Sequence, residues 1–197
     1  DDMGVCVENS IDSTIKIWNH KGEQVGKTIK CNDLITFAMF SPVEDSVIMA
    51  ASAADATVKM WNLNGEQVGE CFCHRSNIRS VSYSPDCNYV LTASGDETAK
   101  LWDKNLNCIS ELSHDYGVKS AFFSPYGDYI VTISDNNDVG LWSMNGEFIT
   151  EIKTLEEKFV SVTFSPVGNI IALASKQGRV IMKKFLTLSE ITDQYRK

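Results

Sequence analysis

Ser94, His74 and Asp96 have the residue types of a hydrolase triad. In such a triad the hydroxyl attacks a carbonyl, the imidazole takes up its proton, and the carboxylate orients the imidazole. The nucleophile must be accessible to a substrate. Ser94 ends an apolar run, Tyr89 to Ala93, that is typical of a strand, so its hydroxyl is expected inside a sheet. The sequence therefore favours a structural role for these residues and no enzyme activity.

A second candidate site is the consecutive run Cys71, Phe72, Cys73 and His74, because thiolates and imidazoles are the ligands that zinc prefers. The rest of the chain offers no second ligand pair at metal spacing and no glycine-rich phosphate loop. The sequence therefore predicts no metal site and no cofactor. The six cysteines follow no common spacing, which predicts free thiols in a reducing, cytoplasmic compartment.

The overall charge and the short apolar runs also restrict the function. A net charge of −8 argues against broad binding to nucleic acids or anionic membranes, since both interactions draw on positive potential. The longest apolar runs, such as residues 169–174, have the length of a strand and are far too short to span a bilayer. We therefore expect neither membranes nor nucleic acids among the partners.

The elements that must position these side chains are short strands separated by turns. Alternating or apolar runs are followed by turn residues such as Ser84-Pro85-Asp86 and Ser94 to Glu97. The predicted strands of this unit begin at Ile78, Tyr89, Thr98 and Cys108. Their short connections predict a four-stranded antiparallel meander.

This unit recurs along the chain with a period of about 40 residues. Ser-Pro dipeptides at Ser41, Ser84, Ser124 and Ser165 are separated by 43, 40 and 41 residues. The four tryptophans, at Trp18, Trp61, Trp102 and Trp142, are separated by 43, 41 and 40 residues. Two independent markers with one period, and four strands per unit, predict the blades of a propeller.

On these residues the chain resembles the WD-repeat β-propeller family. The family pattern is met in full by His74, Tyr83 to Asp86, Ser94 to Asp96, and Trp102 with Asp103. The resemblance implies an all-β propeller of four-stranded antiparallel blades over residues 1–185. We expect four near-complete blades after a partial first one, in a larger ring of about seven blades. Residues 186–197 form a tail that is expected to begin a helix.

In this family a buried polar network joins the tryptophan of a blade to a Ser or Thr, a His and an Asp. Carried over by position, the resemblance implies such a network in two blades. Its expected members are Trp102, Ser94, His74 and Asp96 in blade three, and Trp142, Ser134, His114 and Asn136 in blade four.

The resemblance further implies a non-enzymatic scaffold that presents one loop face to a protein or peptide partner, as part of a larger chain or complex. The expected contact positions lie three and five residues after the His and one residue before the turn Asp. They are Leu34, Thr36, Ala54, Asn77, Arg79, Gly95, Gly117, Lys119, Asp135, Lys158, Val160 and Lys176.

Two features of the sequence leave the kind of partner and the kind of protein open. The cations of the loop face, among them Arg75, Arg79 and Lys119, favour an acidic or phosphorylated partner, while scattered solubility charges would look the same. The segment from Asn64 to Gln67 is similar to sequences in long bacterial WD arrays. That similarity keeps open a ligand-sensing or regulatory array of a larger signalling protein such as an NTPase.

Overall fold

The computed structural model describes residues 6–7, 13–31, 34–41, 46–51, 56–62, 64–72, 74–152, 159–165 and 170–184. Within these ranges every regular element is a β-strand, and eighteen strands form five antiparallel sheets. The predicted all-β fold of meander blades is confirmed. The predicted helical start at residues 186–197 lies outside the described residues.

Each sheet is one blade, and its strands follow one another in sequence order. Blade one contains β1 (Cys6–Val7), β2 (Thr14–Trp18) and β3 (Gln24–Lys30). Blade two contains β4 (Ile35–Phe40), β5 (Ser46–Ala51), β6 (Thr57–Asn62) and β7 (Gln67–Phe72). Blade three contains β8 (Ile78–Tyr83), β9 (Tyr89–Ser94), β10 (Thr98–Asp103) and β11 (Cys108–Ser113). Blade four contains β12 (Val118–Phe123), β13 (Tyr129–Ser134), β14 (Val139–Ser143) and β15 (Phe148–Ile152), and blade five contains β16 (Phe159–Phe164), β17 (Ile170–Ser175) and β18 (Val180–Lys184).

The core lies between consecutive blades, because the inner strands bury both of their faces. All six residues of β13 and five of the six in β9 are buried, whereas the outer strand β11 is mostly exposed. Leu91, Leu101 and Leu112 of blade three pack in one cluster with Ile130 and Trp142 of blade four. Each fully buried leucine contributes about 1.5 to 3 kcal/mol relative to an exposed one. Packing between blades therefore stabilises their arrangement.

Polar side chains also join blades three and four through their innermost strands. The Ser80 hydroxyl accepts a hydrogen bond from the backbone N–H of Ala121 at 3.1 Å. The Ser82 hydroxyl donates to the carbonyl oxygen of the same Ala121 at 3.2 Å. Strands β8 and β12 therefore keep a fixed register, which places the loops at their ends side by side.

The turn after each tryptophan is built in the same way in four blades. The residue after the tryptophan accepts hydrogen bonds from the backbone N–H groups two and four residues further on. These acceptors are Asn19, Asn62, Asp103 and Ser143. The turn needs a left-handed residue, which is Gly146 in blade four, with φ of 81°. A Cβ on Gly146 would lie 2.6 Å from the Cβ of Ser110, so this turn packs closely on blade three.

Candidate functional site

The buried network of blade three is a continuous chain of hydrogen bonds. The Trp102 indole N–H donates to the Thr92 hydroxyl at 3.0 Å, and Thr92 Oγ1 lies 2.7 Å from His74 Nε2. On its other side, His74 Nδ1 lies 3.0 Å from an Asp96 carboxylate oxygen. The Thr98 hydroxyl donates to the same carboxylate at 2.7 Å. The chain ties together β9, β10 and the segment that carries His74.

A neutral His74 satisfies the donors and acceptors of this network. The Asp96 carboxylate can only accept, so His74 carries a proton on Nδ1, and Nε2 of the neutral ring accepts the Thr92 O–H. Burial lowers the pKa of His74 below its ordinary value of 6.5, although the negative charge of Asp96 opposes this shift. The imidazole is therefore neutral at pH 7 and donates to Asp96.

Asp96 is ionised beside that neutral imidazole. Burial alone would raise the pKa of its carboxyl, but hydrogen bonds from the Thr98 hydroxyl, the Arg75 backbone N–H and the His74 imidazole together lower the pKa to about 2. The Arg75 N–H donates to the carboxylate at 2.8 Å. A fixed anion at this position holds the loop before β8 against the turn between β9 and β10.

The hydroxyl in this hydrogen-bond network belongs to Thr92, and the prediction that Ser94 would supply it was wrong. Trp102 lies directly opposite Val90 in the sheet, so Thr92 is its diagonal neighbour and Ser94 is two residues further along the strand. Ser94 instead donates to the carbonyl of Ser76 at 3.0 Å.

The same geometry excludes a catalytic triad of Ser94, His74 and Asp96. His74 Nε2 contacts Thr92 rather than Ser94, and the His74 side chain is fully buried. Ser94 is also fully buried and donates to a backbone carbonyl. Ser94, His74 and Asp96 therefore lack both the nucleophile–base contact and the access that acyl transfer requires.

Blade four repeats only the first link of the chain. The Trp142 indole N–H donates to the Thr132 hydroxyl at 2.9 Å, so Ser134 was also wrongly placed. In the described part of the chain, the buried His114 Nε2 has no hydrogen-bond partner. His114 instead packs edge-on against Trp142 at 5.2 Å between ring centroids. Burial lowers the pKa of His114, although the charges of Asp115 and Asp138 oppose this shift.

The break in blade four follows from two residues of its turn. Asn136 and Asp138 stand where blade three has Asp96 and Thr98. The Asn136 amide donates to the Asp138 carboxylate, and its oxygen accepts from the Ser134 hydroxyl. These bonds hold Asn136 within its own turn. The predicted four-membered network of blade four is therefore not formed as expected.

Six of the predicted contact positions lie together where blades three and four meet, and we call them the loop-face cluster. They are Asn77, Arg79, Gly95, Gly117, Lys119 and Asp135. Arg79 Nη1 donates to Asp135 Oδ1 at 2.8 Å across the two blades. Lys119 Nζ donates to the Asp135 carbonyl at 3.1 Å and to Asn137 Oδ1 at 2.8 Å. Both cations are engaged within the chain.

Two glycines let the backbones of this cluster approach closely. A Cβ on Gly117 would lie 2.6 Å from Asp135 Oδ2 and 3.3 Å from the Gly95 Cα. A Cβ on Gly95 would lie 2.8 Å from Asn77 Oδ1 and 3.0 Å from Arg79 Nη2. Side chains at these positions would push apart the groups that form the pair, so the glycines permit the close approach of these polar groups.

The other predicted contact positions are separate from this cluster or fall outside the described residues. Leu34 is 40 % exposed before β4, and Lys176 is exposed in the turn after β17. The backbones of Thr36 and Val160 lie in β4 and β16, and their side chains are outside the description. Ala54 and Lys158 lie outside the described residues.

Sequence reasoning missed the two threonines, Thr92 and Thr132, which lie ten residues before Trp102 and Trp142. Ser94 and Ser134 recur just as regularly, eight residues before the same tryptophans, so spacing alone does not identify the bonded hydroxyl. Sequence reasoning also missed the pairing of Arg79 with Asp135, which are 56 residues apart. That contact depends on the register between two blades, and no local pattern encodes it.

The described residues offer little that would support other kinds of site. They contain no group of three or more His, Cys, Asp or Glu side chains arranged to hold a metal ion. Among the described cysteines, Cys31, Cys87 and Cys108 are not in disulfide bonds. No helix long and apolar enough to cross a membrane occurs in the described ranges.

The repeated antiparallel blades, with an indole–threonine bond in two of them, define the fold as a β-propeller. Residues 65–103 and 106–143 match the family model for the WD domain, G-beta repeat, and these two segments are WD repeats. WD repeats generally serve as protein-interaction scaffolds.

The similar proteins found by comparison agree with this assignment. WD repeat-containing protein 1 of Mus musculus, Bos taurus and Rattus norvegicus is 47 % identical to this chain over 36 residues. That alignment covers 18 % of this chain and only 6 % of the relatives' length. The crystal structure of the computationally designed Ika8 protein superposes with a TM-score of 0.79 at 20 % identity, over 94 % of this chain and 56 % of that chain. The likeness to Ika8 concerns the fold alone.

Proposed function

We propose that this chain is a non-enzymatic, cytoplasmic interaction module that binds a protein or peptide partner on the loop-face cluster. The observation that carries the proposal is the salt bridge of Arg79 with Asp135 across two blades. It gathers charged groups where the glycines let the loops of the two blades approach closely. Binding residues are often found on loops that a rigid scaffold positions, as these are.

The charges of the cluster favour an acidic or phosphorylated segment of the partner. Arg79 and Lys119 carry two positive charges against the single carboxylate of Asp135, and the exposed Arg75 lies in the loop before β8. A carboxylate or phosphate from a partner would take the place of Asp135 on the Arg79 guanidinium, whose planar fork suits both groups. Because Arg79 is 30 % exposed and Asp135 is 41 % exposed, this exchange requires little rearrangement.

An array of immobilised peptides tests the proposal. The array contains Glu-rich, phosphoserine-containing and matched neutral peptides, and it is probed with the labelled 197-residue chain. We expect selective retention on the acidic or phosphorylated peptides. We also expect that retention to be lost in the variant Arg79→Glu/Lys119→Glu. The matched control is Lys27→Glu/Lys30→Glu, which makes the same charge change at exposed positions of β3.

Three results would overturn parts of the proposal. Retention without preference for acidic or phosphorylated peptides would contradict the proposed acidic or phosphorylated partner. Equal losses in both double variants would show that overall charge matters and the cluster does not. Retention that survives Arg79→Glu/Lys119→Glu would place the docking surface elsewhere.

A further inference from the structure

An open cleft of about 490 Å³ lies between the turns of blades three and four, at the opposite ends of the strands from the loop-face cluster. We call it the turn-face cleft and define it by six residues that line it. These are Pro85, Asp86, Tyr89, Pro125, Tyr126 and Met144. Rings and a thioether supply its apolar surface, and Asp86 supplies a charge.

The two blades are in close contact around this cleft. A Cβ on Gly127 would lie 3.6 Å from Pro85 Cδ, so the turn of blade four packs on the turn of blade three. Tyr89 and Met144 are half-buried and pack against the core cluster that joins the two blades. They therefore form the inner side of the cleft, and their positions are set by the core.

Tyr126 is the most exposed ring of the cleft. It stands at the turn position that holds Asp86 in blade three, and valines, Val43 and Val167, stand there in blades two and five. Its side chain is 61 % exposed, so most of its ring remains in solvent. The ring is therefore available to a partner.

Asp86 keeps a negative charge beside these rings. Its carboxylate accepts hydrogen bonds from the Ser84 hydroxyl at 2.6 Å and from the Asn88 backbone N–H and side-chain amide at 3.2 and 2.8 Å. The bonds from Ser84 and Asn88 lower the pKa of Asp86 below its ordinary value of 3.8. All of these donors are neutral, and they leave one of the roughly four acceptor positions of a carboxylate, on Oδ2, for a partner. In the described part of the chain no cation forms an ion pair with Asp86.

The surrounding charges favour a cationic partner. The described turns and strand ends on this side of blades three and four carry more acids than bases, and their charged residues are Asp86, Asp103, Asp128, Glu147 and Lys104. A negative surface attracts cations and speeds their encounter. Aromatic rings attract a cation that lies over their faces. Of the two basic side chains, arginine fits this lining better, because its planar and weakly hydrated guanidinium both stacks on rings and pairs with carboxylates.

We propose that the turn-face cleft binds an arginine side chain of a partner protein. The guanidinium pairs with the Asp86 carboxylate, and the side chain lies on the rings of Tyr126 and Tyr89. The site is at the opposite ends of the strands from the loop-face cluster and does not depend on the function proposed for that cluster.

Nuclear magnetic resonance of the 197-residue chain, labelled with 13C at its methionine methyl groups, tests the site. Met144 lies in the cleft, and its signal is identified by its absence in Met144→Leu. The probe is the peptide acetyl-Gly-Arg-Gly-amide at constant ionic strength. We expect a saturable shift of the Met144 signal, with a Kd of about 1 to 30 mM for so small a ligand. Met182, which is 73 % exposed in β18, is the internal control and should not move.

Two further peptides test which property of arginine is recognised. The citrulline version keeps the planar end group without the charge, and the lysine version keeps the charge without the planar group. We expect each to bind at least threefold more weakly than the arginine peptide.

Matched variants connect the shift to the cleft. Asp86→Asn keeps an acceptor for Ser84 and should weaken binding of the arginine peptide at least fivefold. Tyr126→Ala should weaken it at least threefold, whereas Tyr126→Phe keeps the ring and should bind like wild type. Asp115→Asn and Tyr116→Ala make the same changes at exposed residues at the other end of the strands, and they should leave binding unchanged.

Several results would overturn the proposal. No saturable shift of the Met144 signal up to about 100 mM peptide would exclude the site, because that concentration exceeds the weakest affinity expected for such a fragment. Equal binding of the citrulline or lysine peptide would contradict the recognition of arginine. Equal losses in Asp86→Asn and Asp115→Asn, or in Tyr126→Ala and Tyr116→Ala, would show that the cleft is not where the peptide binds. An equal response of Met182 would show a general effect on the chain.

Discussion

Thr92 accepts the indole N–H of Trp102 at 3.0 Å in blade three, across two neighbouring strands of the sheet. The same threonine continues the chain to His74 at 2.7 Å. In blade four the equivalent threonine, Thr132, holds Trp142 at 2.9 Å. His114 Nε2 there has no hydrogen-bond partner among the described residues. Blade three therefore contains a complete hydrogen-bond network, and blade four of the same molecule contains an interrupted one.

Removing the threonine hydroxyl should cost more in blade three than in blade four. Thr92→Val leaves two buried groups unsatisfied, on Trp102 and His74, at about 1 to 3 kcal/mol each. Thr132→Val leaves only the Trp142 indole. We expect the loss in the free energy of unfolding to be at least about 1 kcal/mol larger for Thr92→Val, measured by urea denaturation. Thr92→Ser and Thr132→Ser keep the hydroxyl and serve as controls. Equal losses for the two valine variants would contradict the network.

Stability should fall as the pH falls below 6.5. Burial lowers the pKa of His74 and His114 below 6.5 in the folded state, so the unfolded chain binds protons that the native chain does not. The stabilisation is fully present above pH 6.5 and is lost as the pH falls through the folded pKa. Asp96 adds a second loss between pH 3.8 and about 2, the ordinary and the folded pKa of its carboxyl.

The imidazole signals check this pH dependence directly. The Cε1–H signal of His74, identified by its absence in His74→Phe, should titrate below pH 6.5. A midpoint above 6.5 would mean that His74 is an imidazolium paired with Asp96. In that case the predicted loss of stability in mild acid would have the opposite sign.

Gly146 should tolerate alanine much less well than Gly22. Both glycines have a left-handed backbone, with φ of 81° and 76°, so alanine adds about 1 to 2 kcal/mol of strain at either position. A Cβ at Gly146 would also meet the Ser110 Cβ at 2.6 Å, whereas nothing lies within 4 Å at Gly22. This crowding should add about 1 to 3 kcal/mol for Gly146→Ala. Thermal or urea unfolding of the two variants measures the difference, and similar losses would contradict the close packing of this turn on blade three.

The sequence was sufficient to predict the blades, for a physical reason. Markers such as Trp102 and the Ser84-Pro85 turn depend on neighbours within one meander, and these contacts recur with the chain period. The strand bounds of blade three follow from those local signals. The hydroxyl of the network was misplaced because Thr92 and Ser94 point to the same face of one strand. Only the register opposite Val90 distinguishes them.

The pairing of the charged side chains on the loop face could not be predicted from the sequence in the same way. The sequence presented Arg79 and Lys119 as free cations and Asp135 as an isolated acid. Packing of β12 against β8 brings them into contact, which reduces the charge available to a partner. Contacts between blades depend on how whole sheets pack, and a single repeat does not specify them.

The Arg79–Asp135 pair should contribute little to folding. Because the two side chains are 30 % and 41 % exposed, the pair is expected to contribute about 0 to 1 kcal/mol. Urea denaturation of Arg79→Gln and Asp135→Asn should therefore show changes within that range. A loss above about 2 kcal/mol in either variant would mean that the pair is a structural link between blades, and that it is not available for exchange with a partner.

The affinity of the tightest acidic or phosphorylated peptide from the array, measured by fluorescence anisotropy, tests the proposed binding face most directly. Wild type, Arg79→Glu/Lys119→Glu and Lys27→Glu/Lys30→Glu are compared at low and high salt. We predict at least a tenfold rise in Kd and a weaker salt dependence for Arg79→Glu/Lys119→Glu, with a nearly unchanged melting temperature and a near wild-type Kd for Lys27→Glu/Lys30→Glu. An unchanged Kd in Arg79→Glu/Lys119→Glu, or the same rise in both variants, would contradict the account.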